Sequence, residues 1–141
     1  NRFIDKVRDL TNDEIIQLSD KELQSIGISF RKATYIKNVF KYFKENSYDF
    51  LSASNQEVID ELTKIKGIGV WSSEMFLMFV LMRIDIFSKG DLALINSIKI
   101  NYKIDIKDDN KLNSLTESWS PYKSVASLLL WKSIEEKYFF T

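Results

Sequence analysis

Apolar residues along this chain recur every three or four positions, the spacing that gathers them on one face of an α-helix. Across residues 30–44, Ala33, Ile36, Val39, Phe40 and Phe43 form such an inward stripe, and Lys37, Lys41 and Lys44 line an outer, solvated side. Three capping boxes punctuate the pattern: Thr11-Asn12-Asp13-Glu14, Ser19-Asp20-Lys21-Glu22 and Ser54-Asn55-Gln56-Glu57. In each, a hydroxyl and a carboxylate three residues apart satisfy amides that the first helical turn leaves unpaired. The first two predict short helices that bury Ile15, Ile16 and Leu18, then Leu23 and Ile26, with Gly27 as a left-handed stop. The third predicts a helix with Val58, Ile59, Leu62 and Ile65 inward.

Past the turn Lys66-Gly67-Ile68-Gly69 the pattern changes. Residues 70–82 are apolar almost all round, which predicts the central, buried helix. Residues 83–90 read as a loop, and Asp91 begins a helix with Leu92, Leu94, Ile95 and Ile98 as its apolar positions. Residues 105–113 read as a polar surface connection into a helix through Leu115. Trp119-Ser120-Pro121-Tyr122 then opens the last helix, with Ser120 as N-cap and Pro121 in the first turn. That helix carries Val125, Ala126, Leu129, Leu130 and Trp131. The expected fold is an all-α bundle of about eight helices in one domain, 1–141. The chain starts inside what reads as the end of a helix (Arg2, Phe3, Ile4, Val7), so an N-terminal portion of the fold is expected to precede it.

Composition narrows the chemistry more than the fold. Four Gly and one Pro argue against a turn-rich β architecture, and 45% hydrophobic residues argue against disorder. With no Cys and no His, disulfides, iron–sulfur clusters and the usual zinc sites are excluded. Acid–base work falls to carboxylates, Lys, Tyr or water. The formal net charge is zero, so nucleic-acid binding has to rest on local geometry. The apolar run at 75–82 is too short to span a bilayer, and an intracellular location with no membrane partner is expected.

Three features could carry function. A Gly-x-Gly turn before a helix exposes backbone amides and a positive dipole end, which suits a phosphate. The amides of Gly67, Gly69 and Val70, beside Lys66, would grip it while Ile68 packs inward; glycine at a plain helix–helix corner satisfies sterics alone. Asp91 is either only the N-cap of its helix or a carboxylate placed to stabilise a cationic sugar or activate water. Trp71 and Trp131 are either core residues or flat walls for an extruded base.

The stretch Leu62-Thr63-Lys64-Ile65-Lys66-Gly67-Ile68-Gly69-Val70-Trp71-Ser72-Ser73, followed by Asp85-Ile86-Phe87-Ser88-Lys89-Gly90-Asp91, resembles the signature of the helix–hairpin–helix base-excision DNA glycosylases. Asp91 stands 22 positions after Gly69 (91 minus 69), the spacing of that superfamily. The resemblance is to the alkylation-repair branch, DNA-3-methyladenine glycosylase II. Leu23-Gln24-Ser25-Ile26-Gly27 through Lys32-Ala33 and Trp119-Ser120-Pro121-Tyr122-Lys123-Ser124 through Leu130-Trp131 extend it over nearly the whole chain.

It implies Asp91 as the catalytic carboxylate, Trp131 stacking on the extruded base and Trp71 lining the pocket. Met75 and Lys132 fall where relatives carry aromatics. The hairpin carbonyls of Thr63, Ile65 and Ile68 would be able to hold a monovalent cation; no other cofactor is implied. Bifunctional relatives place a lysine where this chain has Trp71, so the resemblance implies a monofunctional hydrolase that leaves an abasic site. The implied partner is double-stranded DNA with a damaged base, bound by a monomer. The competing expectations are a non-catalytic helix–hairpin–helix DNA-binding module and a helical adaptor.

Overall fold

The computed structural model describes residues 2–105 and 107–135, and among them it holds nine α-helices and no strand. The chain divides into two compact units at the Gly69–Val70 junction.

The first unit contains α1 (Arg2–Val7), α2 (Asn12–Gln17), α3 (Asp20–Ser25), α4 (Phe30–Glu45) and α5 (Asn55–Leu62). All three capping boxes form: Thr11, Ser19 and Ser54 accept the amides of Glu14, Glu22 and Glu57, whose carboxylates reach back to the N-cap amides. Gly27 ends α3 at φ +91°, a conformation that costs a Cβ-bearing residue more than glycine. Leu18, Leu23 and Ala33 form a buried core, with Phe3, Val7, Leu10, Ile26 and Ile28 packed around it.

Two expectations for α4 change. Phe43 is 41% exposed, its ring meeting Tyr42 edge-on and Phe50 at a tilt, because the α4 stripe turns away from the core toward the helix end. The lysine row is also not simply solvated, since Lys37 pairs with Asp20 at 2.7 Å and Lys44 pairs with Asp13.

The second unit contains α6 (Val70–Phe79), α7 (Leu92–Tyr102), α8 (Asp109–Glu117) and α9 (Lys123–Glu135). Its core is Leu94, Ile98, Leu112 and Leu130, flanked by Phe87, Ile95, Ile104, Leu115, Trp119 and Trp131. Helices α7 and α9 are joined by a polar seam in which the buried Ser97 hydroxyl donates to the Leu130 carbonyl at 2.9 Å.

Helix α6 is not the buried centre. Only Ser73, Leu77 and Met78 are buried on it, while Val70, Trp71 and Phe79 are each more than half exposed. It also stops at Phe79, three residues early, because Met82 takes φ +54° and the Arg83 amide folds back onto the Leu77 carbonyl at 2.9 Å. The cluster at the centre of this unit comes from α7, α8 and α9, and α6 adds only Leu77 and Met78 to the buried apolar residues.

Helices α8 and α9 also start elsewhere than expected. Asp108 caps α8 by accepting the Lys111 amide at 3.1 Å, so helix replaces part of the expected surface connection. Helix α9 begins at Lys123, after a cis Ser120–Pro121 bond. Ser120 is not its cap. The Ser120 hydroxyl donates to Asp85 at 2.7 Å, and the Asp85 carboxylate takes the cap's part by accepting the Lys123 amide at 3.4 Å.

Candidate active site

The segment between α6 and α7 is fastened before it delivers Asp91. Ser124, at the start of α9, donates its hydroxyl to the Arg83 carbonyl at 2.7 Å and accepts the Ile86 amide at 3.0 Å. Its own amide donates to the Ile84 carbonyl at 2.9 Å. One serine thus holds three points of the loop. Ile86 and Ser88 are buried beyond it. The Ser88 hydroxyl donates to Glu74 on α6, and the Ser88 carbonyl accepts the Asp91 amide at 3.2 Å.

Asp91 is 8% exposed. Its Oδ1 accepts the Leu94 amide at 2.9 Å, the N-cap bond of α7, and the Trp131 indole N–H at 3.3 Å. Its Oδ2 accepts the Trp71 indole N–H at 2.9 Å. Burial pushes the Asp91 carboxyl up, but the Trp71 indole, the Leu94 amide, the Trp131 indole and the Ala93 amide outweigh it and hold the group below its ordinary value. The groups that stabilise this charge are all neutral N–H donors. Asp91 is therefore an ionised carboxylate in a largely dry setting, where its field acts strongly on a nearby cation.

The aromatic residues are tied to the carboxylate. Trp71 and Trp131 aim their N–H groups at Asp91, so each is fixed by a polar bond as well as presenting a ring face. Trp131 stacks on Phe79, with ring centroids 6.0 Å apart and planes at 26°. Met75 is half-buried one turn past Trp71. Trp71, Met75 and Phe79 follow at spacings of four along α6, and so share one face. Lys132 is exposed on α9 next to Trp131. Neighbouring helical residues project about 100° apart, and it is Trp131 that turns to Asp91.

Sequence reading missed three members of this site. Phe79 could have been found from the 71-75-79 spacing, and Glu74 as the only charged residue in 70–82. Ser88 gave no local signal.

In the first unit, the hairpin turn is set by Gly67. It takes φ +108°, and a Cβ there would lie 2.1 Å from the Tyr35 ring. The Ile68 amide donates to the Ile65 carbonyl at 2.9 Å, closing the turn, and the Asn38 side chain donates to the Lys66 carbonyl at 3.0 Å, anchoring it. Ile65 is buried and Ile68 half-buried, whereas Lys66, Gly67 and Gly69 are exposed. A Cβ on Gly69 would meet open space, so nothing in the fold demands glycine there. Beside the turn lies a groove of about 350 Å³ lined by Asn38, Lys41, Tyr42, Lys64 and Lys66, among others. Of the carbonyls expected to suit a cation, that of Ile65 spends one lone pair on the Ile68 amide and keeps one. Val70, the first residue of α6, is exposed and opens the second unit.

No family model matches the chain. Individual proteins do. A Saccharomyces cerevisiae protein named DNA-3-methyladenine glycosylase is 31% identical over an alignment covering 79% of this chain and 49% of the relative. The crystal structure of a DNA-3-methyladenine glycosidase from Bacillus halodurans superposes with a TM-score of 0.72 and 38% identity, covering 87% of this chain and 58% of that one. The Schizosaccharomyces pombe 3-methyladenine DNA glycosylase Mag1, solved in complex with abasic DNA, gives a TM-score of 0.79 at 28% identity, covering 89% and 63%. The chain spans about half the length of the curated relatives it matches.

Proposed function

This chain belongs to the helix–hairpin–helix alkylbase DNA glycosylase family, and we propose that it removes alkylated purines of the 3-methyladenine type from duplex DNA. The observation that carries the reading is Asp91: ionised, nearly buried, and held by two indole N–H groups beyond its own helix cap. An N-cap needs only the Leu94 amide. Two further donors on one carboxylate make sense where its charge and direction matter.

The hairpin amides of Gly67, Gly69 and Val70, with Lys66 beside them, bind a backbone phosphate without reading sequence. A cation on the Thr63, Ile65 and Ile68 carbonyls would add positive charge beside that phosphate. The damaged nucleotide leaves the base stack, and its base is received by the rings of Trp71, Trp131 and Phe79, with Met75 along the same face. An alkylated purine carries positive charge and gains a cation–π attraction of roughly 0.5–2 kcal/mol on such rings. The same charge makes it a ready leaving group, so little general acid is required of a chain without histidine. The N-glycosidic bond breaks with its electron pair leaving on the base. Asp91 stabilises the oxocarbenium-like sugar and orients a water whose oxygen bonds to C1′; the water's spare proton passes to solvent. Products are free base and an abasic site.

Trp71 occupies the position of the Schiff-base lysine of bifunctional relatives, and an indole nitrogen cannot form that adduct. Hydrolysis without strand cleavage follows.

The test is base release from methylated DNA by Asp91→Asn, a substitution that keeps a capping oxygen. The rate is expected to fall on the order of 10²–10³-fold. Release near wild type would remove Asp91 from the chemistry and leave a non-catalytic DNA-binding module. β-Elimination accompanying base release would overturn the monofunctional reading.

A further inference from the structure

Resting on that reading, we propose that Glu74 is a positioning residue for base excision: it holds Ser88, and through Ser88 the turn that presents Asp91. Glu74 lies one helical turn past Trp71 on α6 and is the only charged residue in 70–82. The Ser88 hydroxyl, fully buried, donates to its carboxylate, while the Ser88 carbonyl receives the Asp91 amide. Helix α6 therefore grips Asp91 twice. Trp71 fixes the carboxylate oxygen directly, and Glu74 fixes the backbone three residues before it.

Among the described residues, the bond to Glu74 is the one side-chain hydrogen bond from Ser88 to α6. Ser124 fastens the loop only as far as Ile86; between Ile86 and Asp91 the Glu74–Ser88 bond ties it to α6, while on its exposed side the Lys89 ammonium donates to Asn113 on α8.

The position is unfavourable for a carboxylate judged by stability alone. Burial raises its pKa most, the Ser88 bond opposes that, and the charge of Asp91 raises it further. An apolar residue would fit the helix without this cost. What an apolar residue cannot do is accept the Ser88 hydroxyl, which would then be a buried donor without a partner.

The experiment measures kcat and KM for release of methylated purines by the intact protein, with wild type and Asp91→Asn as references, alongside Glu74→Ala, Glu74→Gln, Ser88→Ala and the Glu74→Ala/Ser88→Ala double variant. Glu74→Ala is expected to lower kcat by on the order of 10–100-fold with KM within about twofold, since a displaced catalytic group costs rate rather than DNA affinity. Glu74→Gln, whose amide oxygen still accepts the hydroxyl, should recover most of that loss. Ser88→Ala should match Glu74→Ala, and the double variant should be no worse than either, because both break one link.

Wild-type kcat in a folded Glu74→Ala protein overturns the inference. So do losses that multiply in the double variant, or a glutamine that fails to rescue. Should Glu74→Ala not fold, Ser88→Ala and Glu74→Gln decide: rate lost in the first and kept in the second supports the link, and wild-type rate in the first removes it. Absence of base release by wild type would defeat the functional reading itself, whereas an inactive Asp91→Asn beside a fully active Glu74→Ala defeats only the role of Glu74.

Discussion

Asp91 and Glu74 are displaced to opposite sides of the ordinary carboxylate range, and their linkage to stability has opposite signs. Asp91 is lowered on folding, because its four N–H donors outweigh its burial. Its contribution to stability is fully present above the ordinary aspartate value near 3.9 and is lost as pH falls through the lower folded value. Glu74 is raised, chiefly by burial. Between the ordinary glutamate value near 4.3 and its higher folded value, the folded chain keeps a proton that the unfolded chain has released, so stability falls as pH rises through that window. Thermal melts across acid and neutral pH should show Asp91→Asn flattening the acid loss and Glu74→Gln flattening the decline at higher pH.

The two hairpin glycines should separate in the same way. Gly67→Ala forces a Cβ into the Tyr35 ring at positive φ and should cost about 2–4 kcal/mol of stability. Gly69→Ala meets open space and should leave the melting temperature nearly unchanged while weakening DNA affinity by roughly tenfold, as a methyl group crowds a bound phosphate.

At the scale of elements, the loop between α6 and α7 decides whether Asp91 arrives in place. It has no regular structure of its own, so its order comes from groups that reach it: the Ser124 and Ser120 side chains and the Lys123 amide from the α9 end, Asn113 from α8, and Glu74 from α6. Ser124→Ala would strand the buried Ile86 amide and is expected to cost about 1–3 kcal/mol, with base release reduced alongside. Denaturant melts together with an excision assay check both parts. Full excision in a destabilised Ser124→Ala protein would mean that the loop keeps its shape without the staple. Helix α6 illustrates the opposite lesson. Leu77 and Met78 are buried, but Trp71 and Phe79 on the 71-75-79 face stay more than half exposed.

For the whole molecule, a formal charge of zero limits what electrostatics can contribute to DNA binding. If the hairpin amides and a few nearby lysines make the phosphate contacts, the log–log slope of affinity against salt should be shallow, about −2 to −3. Fluorescence anisotropy on a methylated duplex over a range of salt measures it; a slope near −6 would require a phosphate surface well beyond the hairpin. Among the described residues no helix is long and apolar enough to cross a membrane.

The sequence by itself determined what local chemistry can determine. The capping boxes at Thr11, Ser19 and Ser54 need only residues three apart, and all three formed as read. The same is true of the stop at Gly27, the turn at Gly67 and the cap at Asp91, each a matter of one backbone conformation or one short-range bond. The all-α class follows from the apolar spacing and the scarcity of glycine and proline. Only the tertiary structure decided which apolar helix is buried, because hydrophobicity states a preference for leaving water and not which neighbour supplies the shelter. Only it showed Trp71 and Trp131 as hydrogen-bond donors to one carboxylate, 20 and 40 positions away in the chain. And only it joined Glu74 to Ser88, since a bond across 14 residues depends on where two elements come to rest, which no local pattern encodes.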